Sequence, residues 1–205
     1  MTGATAKQRR VWDKSASSYD RQIALVERVW FGDGRSWLGR RARGRVLEVA
    51  LGTGLNLAHY APDVTITGIE LSPEMLAIAR RRAADLGRAA DLREGDAEHL
   101  PFGDGSFDTV VCAYALCSIP DPRAAIAEMA RVLVPGGILL LVDHIGSSVD
   151  PLRGAQWLFE RVTIPLAGEH FTRRQIHLVE AAGLVVEETE RLKAGTVERI
   201  LARKP

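Results

Sequence analysis

Three acidic residues and one glycine turn carry the chemistry this sequence can support. Glu48 precedes Gly52-Thr53-Gly54, Glu70 closes the apolar run Val64–Leu71, and Asp96 follows the short run Ala90–Arg93. A carboxylate at the end of a second strand can accept both hydroxyls of a ribose, which is why nucleoside-binding α/β folds place an acid there. A carboxylate after a third strand can take the exocyclic amine of an adenine, with Leu71, Met75 and Ala97 as apolar walls. Glu48 can receive a cationic amino group, directly or through water. The glycines supply a sharp turn that lays bare backbone N–H groups and a helix N-terminus beside a ligand. A dinucleotide fingerprint would need a third glycine where this chain has Leu57, and no Walker-type lysine follows. A nucleoside carrying an amino acid, without phosphate, suits the pattern better than NAD or ATP.

A second group of residues could move a proton. If an acceptor must lose one, a base is needed within hydrogen-bond reach of it. His144, after the apolar run Ile138–Val142, is the first candidate, with Asp143 beside it as orienter or alternative. His170, after Gly168-Glu169, is the second. For each histidine the competing reading is a satisfied structural hydrogen bond. Cys112 and Cys117 lie five apart at the end of an apolar run and read as small core residues rather than nucleophiles. Neither their number nor their spacing suggests a disulfide or a zinc site, so no metal is expected and the compartment is expected to be the reducing cytoplasm.

The elements that must position these groups alternate. Val46–Leu51, Val64–Leu71, Ala90–Arg93, Phe107–Ala113 and Ile138–Asp143 read as strands. Helices are predicted between them. Ser72-Pro73-Glu74 starts one that stops at Gly87, and Asp121-Pro122 starts another that Pro135-Gly136-Gly137 ends. Regular alternation implies a mostly parallel sheet with helices on both faces and ligands beyond the carboxyl ends of its strands. Further on, Ala155–Val162 reads as a helix interrupted by Pro165, and Thr172 as the cap of a helix ending at Gly183. Leu184–Leu192 and Thr196–Arg203 read as a hairpin at one sheet edge. Before the first strand, residues 7–42 show apolar positions at mostly helical spacing, broken by Gly32-Asp33-Gly34. These helices would form a lid over the ligand, simple edge packing, or an interfacial membrane helix.

Composition narrows the partners. The chain has 205 residues, 46% apolar and 26% charged, as a soluble globular protein has. Lys+Arg (27) and Asp+Glu (26) nearly cancel, so the net charge of +1 gives no reason to expect nucleic acid. No run approaches the length needed to cross a bilayer. The expected arrangement is one domain over 1–205: a helical cap (1–44), a cofactor-binding core (45–145), and acceptor-side helices with the hairpin (146–205).

The ordered motifs resemble a known family. Leu47–Gly54, Ile69–Met75, Gly95-Asp96-Ala97, the stretch from Leu100-Pro101-Phe102 to Phe107-Asp108, and Arg131-Val132-Leu133 with Pro135-Gly136-Gly137 look like class I S-adenosylmethionine-dependent methyltransferases. They are closest in flavour to the small ubiquinone/menaquinone-methyltransferase-like group with its type 11 domain. Val111-Cys112, Leu116-Cys117-Ser118-Ile119 and Asp143-His144 are also similar to bacterial phospholipid N-methyltransferases and alkyl thiol methyltransferases. The resemblance implies a Rossmann-like seven-stranded sheet and S-adenosyl-L-methionine as cofactor, with S-adenosyl-L-homocysteine as product. The implied cofactor set is Tyr19, Glu48, Ala50, Gly52, Gly54, Asn56, Glu70, Leu71, Met75, Asp96, Ala97, Cys112, Ala113 and Cys117, and Tyr19 with Asp20 reaches back over the methionine end. The family usually has glycine where this chain has Ala50, so the turn is expected to adopt a conformation that alanine tolerates. A small, lipophilic acceptor is expected. A membrane surface enters only if that acceptor is a lipid, and a non-catalytic nucleoside-binding protein is the reading from another class.

Overall fold

The computed structural model describes residues 2–205. Its sheet has the order β3-β2-β1-β4-β5-β7-β6. Five strands run parallel: β1 (Arg45–Val49), β2 (Thr65–Glu70), β3 (Ala90–Glu94), β4 (Phe107–Ala113) and β5 (Leu133–His144). The hairpin β6 (Val185–Leu192) and β7 (Val197–Arg203) adds to β5 in the antiparallel sense, with β6 at the edge. The expected Rossmann-like, mostly parallel sheet with an antiparallel edge hairpin is therefore what the chain forms. Strand order reverses at β1, which pairs with β2 on one side and β4 on the other, so the ligand crevice of such a fold lies over the ends of these strands.

Alternation of side chains along each strand divides the core into two layers. Leu47 and Val49 of β1 pack with Ile126 and Met129 of α4 (Pro122–Val132) and Val179 of α6 (Ile176–Ala181). Val46, just ahead of Leu47 and facing the other way, packs with Leu38 of α2 (Gly34–Arg41) and with Leu76 and Ala79 of α3 (Pro73–Asp85). The caps predicted at Ser72 and Asp121 form. The Ser72 hydroxyl accepts from the Met75 N–H, and the Asp121 carboxylate accepts from the N–H groups of Arg123 and Ala124.

Three local expectations are corrected. Pro165 does not interrupt a helix at Val162, because α5 runs from Asp150 to Ala167 with Pro165 in its last turn. A proline there forfeits one hydrogen bond near an end that Gly168, at φ 71°, closes. Thr172 caps nothing; its hydroxyl bonds the Glu160 carboxylate, and α6 starts after Gln175. Pro135-Gly136-Gly137 does not separate helix from strand, since β5 starts at Leu133 directly after α4 and holds these residues in a register shift against β4.

Ahead of the sheet, α1 (Gly3–Val26) leads through a π turn (Glu27–Phe31) into α2. Only Thr5, Gln8 and Ala16 of α1 are buried, so polar ties carry much of its docking. Ser72 donates to Asp13 (2.6 Å), Thr53 donates to Asp20 (2.6 Å), Arg82 pairs with Asp20, and Arg9 pairs with Glu94 (2.8 Å). Among the described residues no helix is long and apolar enough to cross a membrane.

Candidate functional site

The turn after β1 builds the floor of a cavity. Ala50, Gly52 and Gly54 have φ of 54°, 60° and 79°. Ala50 thus keeps the left-handed conformation it was expected to avoid. The turn geometry overrides the Cβ penalty of roughly 1–2 kcal/mol. A Cβ on Gly52 would meet nothing within 4 Å, whereas one on Gly54 would stand 2.9 Å from Leu57 and 3.2 Å from Ala79. Gly52 therefore faces open space, and Gly54 lets α3 pack closely.

The end of β2 is tied to this turn. Glu70 is buried, and its two carboxylate oxygens accept from the N–H groups of Gly52 (2.9 Å) and Ser72 (2.8 Å). Burial raises its pKa, and those N–H donors oppose the rise. Each oxygen can accept a further hydrogen bond, and Glu70 lines the cavity. At the end of β3, Asp96 lines the same space with Leu71, Met75 and Ala97.

The cavity lies between these strand ends and α1. Trp12 and Tyr19 of α1 form its roof, with ring centroids 6.0 Å apart at right angles. Burial pushes the Tyr19 phenol up to about 12. Tyr114, after β4, closes one side; it too has positive φ (54°), and its ring stacks on Phe31 at 4.0 Å. Two buried polar atoms on the lining, Gln8 Nε2 and Tyr114 Oη, have no hydrogen-bond partner.

Sequence reasoning missed Arg35. Its guanidinium reaches the lining, donates to Glu27 (2.6 Å) and Asn56 (2.8 Å), and lies 5.2 Å from the centre of the Tyr114 ring. Burial is the largest single effect and works against its charge, but the Glu27 hydrogen bond and the nearby acidic groups of Glu27, Tyr19 and Tyr114 together outweigh it, and the pKa rises. Arg35 belongs to a run of arginines that reads as a solvated face. Its only sequence signal is Glu27, eight residues earlier across the π turn.

The remaining expected residues divide. Tyr19, Glu48, Ala50, Gly52, Glu70, Leu71, Met75, Asp96, Ala97 and Ala113 lie on the cavity lining; Gly54, Asn56, Cys112 and Cys117 do not. The Asn56 side chain bridges Arg35 and Glu48 from behind. Glu48, only 2% exposed, has its oxygens engaged by Asn56 (2.8 Å) and Tyr60 (2.9 Å), so it is not a free receptor for an amino group. Burial raises its pKa to about 7.

Asp143, His144 and His170 lie outside the lining as well. Asp143 is a buried tie, not a base open to an acceptor. It accepts from the N–H groups of His144 (2.8 Å) and Cys117 (3.1 Å) and from the Gln175 amide (3.4 Å). His144 stacks on Phe171 at 4.5 Å, and its Nδ1 is buried without a partner. The His170 backbone N–H donates to the Cys117 carbonyl (2.9 Å), and burial lowers the pKa of its ring. Donor atoms of Cys117, Asp143 and His144 fall within 4.8 Å of one another. Burial raises the pKa of both the thiol and the carboxyl, and Asp143 is committed to three donors, so these groups fasten the loop after β4 to the end of β5.

Known proteins agree with this architecture. The methyltransferase domain family matches residues 47–141. The chain is 43% identical over 115 residues to a phosphatidylethanolamine N-methyltransferase of Cereibacter sphaeroides, covering 55% of this chain and 57% of that protein. It is 30% identical over 173 residues to a demethylmenaquinone methyltransferase of Staphylococcus aureus, covering 80% of this chain and 71% of the relative. The chain thus spans little more than half the length of the first of these relatives. A SAM-dependent methyltransferase of Thermotoga maritima superposes with a TM-score of 0.72 at 22% identity, over 97% of this chain and 100% of its own. With the strand order, the glycine turn and the acids at the ends of β2 and β3 already in place, these matches establish that the chain belongs to the class I S-adenosylmethionine-dependent methyltransferases.

Proposed function

We propose that the chain binds S-adenosylmethionine in this cavity and transfers its methyl group to a small lipophilic acceptor through an N, O, S or C nucleophile. The observation that carries the reading is the charge pattern of the lining. Glu70 and Asp96 stand at neighbouring strand ends, and Arg35 is the one cationic side chain on the lining among the described residues. Glu70 takes the ribose hydroxyls and Asp96 the adenine amine. Arg35 takes the α-carboxylate at the opposite end, where a buried guanidinium is strongest as a partner. Trp12, Tyr19 and Tyr114 offer aromatic faces to a sulfonium.

When bound, the cofactor supplies an electrophilic methyl on a positively charged sulfur. The chain's own work is then alignment and exclusion of water, because an in-line displacement needs little else. Where the acceptor carries a proton, His144 is the residue we assign to take it: its Nδ1 has no hydrogen-bond partner, and its ring stands at the end of β5, outside the cofactor cavity itself. Asp143, hydrogen-bonded to the His144 backbone, fixes the strand end that carries the ring.

A phospholipid amine presented at a membrane surface is the second reading, favoured by the 43% identity with the phosphatidylethanolamine enzyme. Calorimetry tests the shared premise: S-adenosylmethionine binds at micromolar concentrations and Glu70→Ala abolishes the binding. No heat of binding, or no effect of the substitution, overturns it. A methyl-transfer screen over thiol, phenol, amine, quinol and vesicle-embedded phosphatidylethanolamine acceptors then assigns the substrate. Conversion by His144→Ala at the unaltered rate would remove the base.

A further inference from the structure

The helix α5 is built inside out. Its one buried side chain is Glu160, whose carboxylate accepts from the N–H and hydroxyl of Thr172. Trp157, Leu158, Phe159, Val162 and Leu166 are instead 54–71% exposed. A surface helix of a globular protein does the reverse, so this apolar face is made to be covered.

A second exposed apolar patch, with Leu25, Val29 and Trp30, lies at the end of α1 and in the π turn. The two patches border one side of the molecule. At one end Lys7 of α1 donates to the Pro165 carbonyl of α5 (2.7 Å). At the other, Trp30 donates to Thr196 (2.8 Å) in the β6–β7 turn, whose Ala194 carbonyl accepts from Ser148 just ahead of α5 (3.2 Å). The stretch from α1 through the π turn thus runs antiparallel to α5, tied at both ends; exposed apolar side chains extend along α5 from Trp157 to Leu166 and gather at residues 25–30 of the other stretch.

We infer that this side is a docking surface for an anionic lipid bilayer, on which α5 and the 25–30 segment lie in the plane of the interface. Charge selects the occupant. In these segments the acids are spent: Asp150 pairs with Arg153, Glu27 with Arg35, and Glu160 is buried. Among the described residues, Arg21, Arg28 and Arg161 are exposed without an ion pair, and Arg161 lies 4.1 Å over the Trp157 ring. Arginine beside Trp, Phe and Leu on one face is the composition of an interfacial helix, and it complements anionic headgroups. A second copy of the chain would set arginines against arginines. The docking concerns the protein alone and stands or falls without cofactor or acceptor, so its failure is distinct from failure of the proposed reaction.

Flotation of the full chain with vesicles of phosphatidylethanolamine containing one third phosphatidylglycerol is the test. The chain floats with these vesicles, less at high salt and less with phosphatidylcholine alone. Leu158→Glu combined with Leu166→Glu lowers the partition coefficient roughly hundredfold, about tenfold for each side chain withdrawn from the interface. Brominated acyl chains quench the tryptophan fluorescence of the unaltered chain, which needs no variant to fold. Absence of flotation, equal flotation of the double variant, or no quenching overturns the inference. Sedimentation showing a dimer that the double variant abolishes, with no vesicle binding, assigns the face to a second copy instead.

Discussion

Replacing Glu48 by Gln separates the effect of one buried carboxyl from the rest of the site. Burial holds this group at about 7 against an ordinary value of 4.5, and the hydrogen bonds from Tyr60 and Asn56 only moderate the rise. A pKa raised by folding favours the neutral form in the fold. Its contribution to stability is therefore whole below about pH 4.5 and is lost as pH climbs through about 7. The displacement corresponds to about 3 kcal/mol between the two protonation states. Urea unfolding of the ligand-free protein, followed from pH 4.5 to pH 8, reads it directly. Gln has the same shape and no charge. The variant gains about 3 kcal/mol relative to the unaltered chain as pH rises across that window, with most of the gain between pH 5 and 7. The raised carboxyls of Glu70 and Asp143 are common to both proteins and cancel in the difference. A difference that stays flat with pH, or that moves toward the unaltered chain, would refute the reasoning.

Two further substitutions test the backbone of the site. Ala50→Gly removes a Cβ from a left-handed position and raises stability by roughly 0.5–1 kcal/mol, since relief of strain exceeds the entropy glycine adds to the unfolded chain; denaturant midpoints measure it. Gly39→Ala would place a Cβ 2.2 Å from the His59 carbonyl oxygen, where α2 crosses the 3-10 turn Leu55–Ala58, and costs about 2 kcal/mol, seen as a lowered thermal midpoint.

Much of this architecture was legible because local and long-range signals agreed. Val46–Val49 and Phe107–Ala113 are strands buried on both faces, and their composition says so without help from the sheet. Ser72-Pro73 and Asp121-Pro122 announce helix starts with a capping side chain followed by a proline whose missing N–H costs nothing there. Illegible features depend on partners distant in sequence. Arg35 turns inward only because Glu27 and Asn56 meet it. Thr172 bonds Glu160 instead of capping because α5 presents that carboxylate beside it. The inverted pattern of α5 was legible only in part, since apolar residues at helical spacing do not say whether they face a core or something outside the chain. Glu48 is the subtler case: the sequence marks it as a site acid and it does line the cavity, yet Tyr60 and Asn56 occupy its carboxyl oxygens, so it braces the wall instead of receiving a ligand.

The polar docking of α1 has a kinetic consequence. The cavity is roofed by Trp12 and Tyr19 of a helix that buries only three of its residues. Its ties to the body include the ion pairs of Arg9 with Glu94 and Arg82 with Asp20, all four side chains partly open to solvent. Ionic strength screens such pairs while leaving a packed sheet untouched. Opening of the roof is thus uncoupled from unfolding. Added salt is therefore expected to loosen the roof over the cavity at a free-energy cost well below that of unfolding, read as faster amide exchange in α1 while the sheet stays protected.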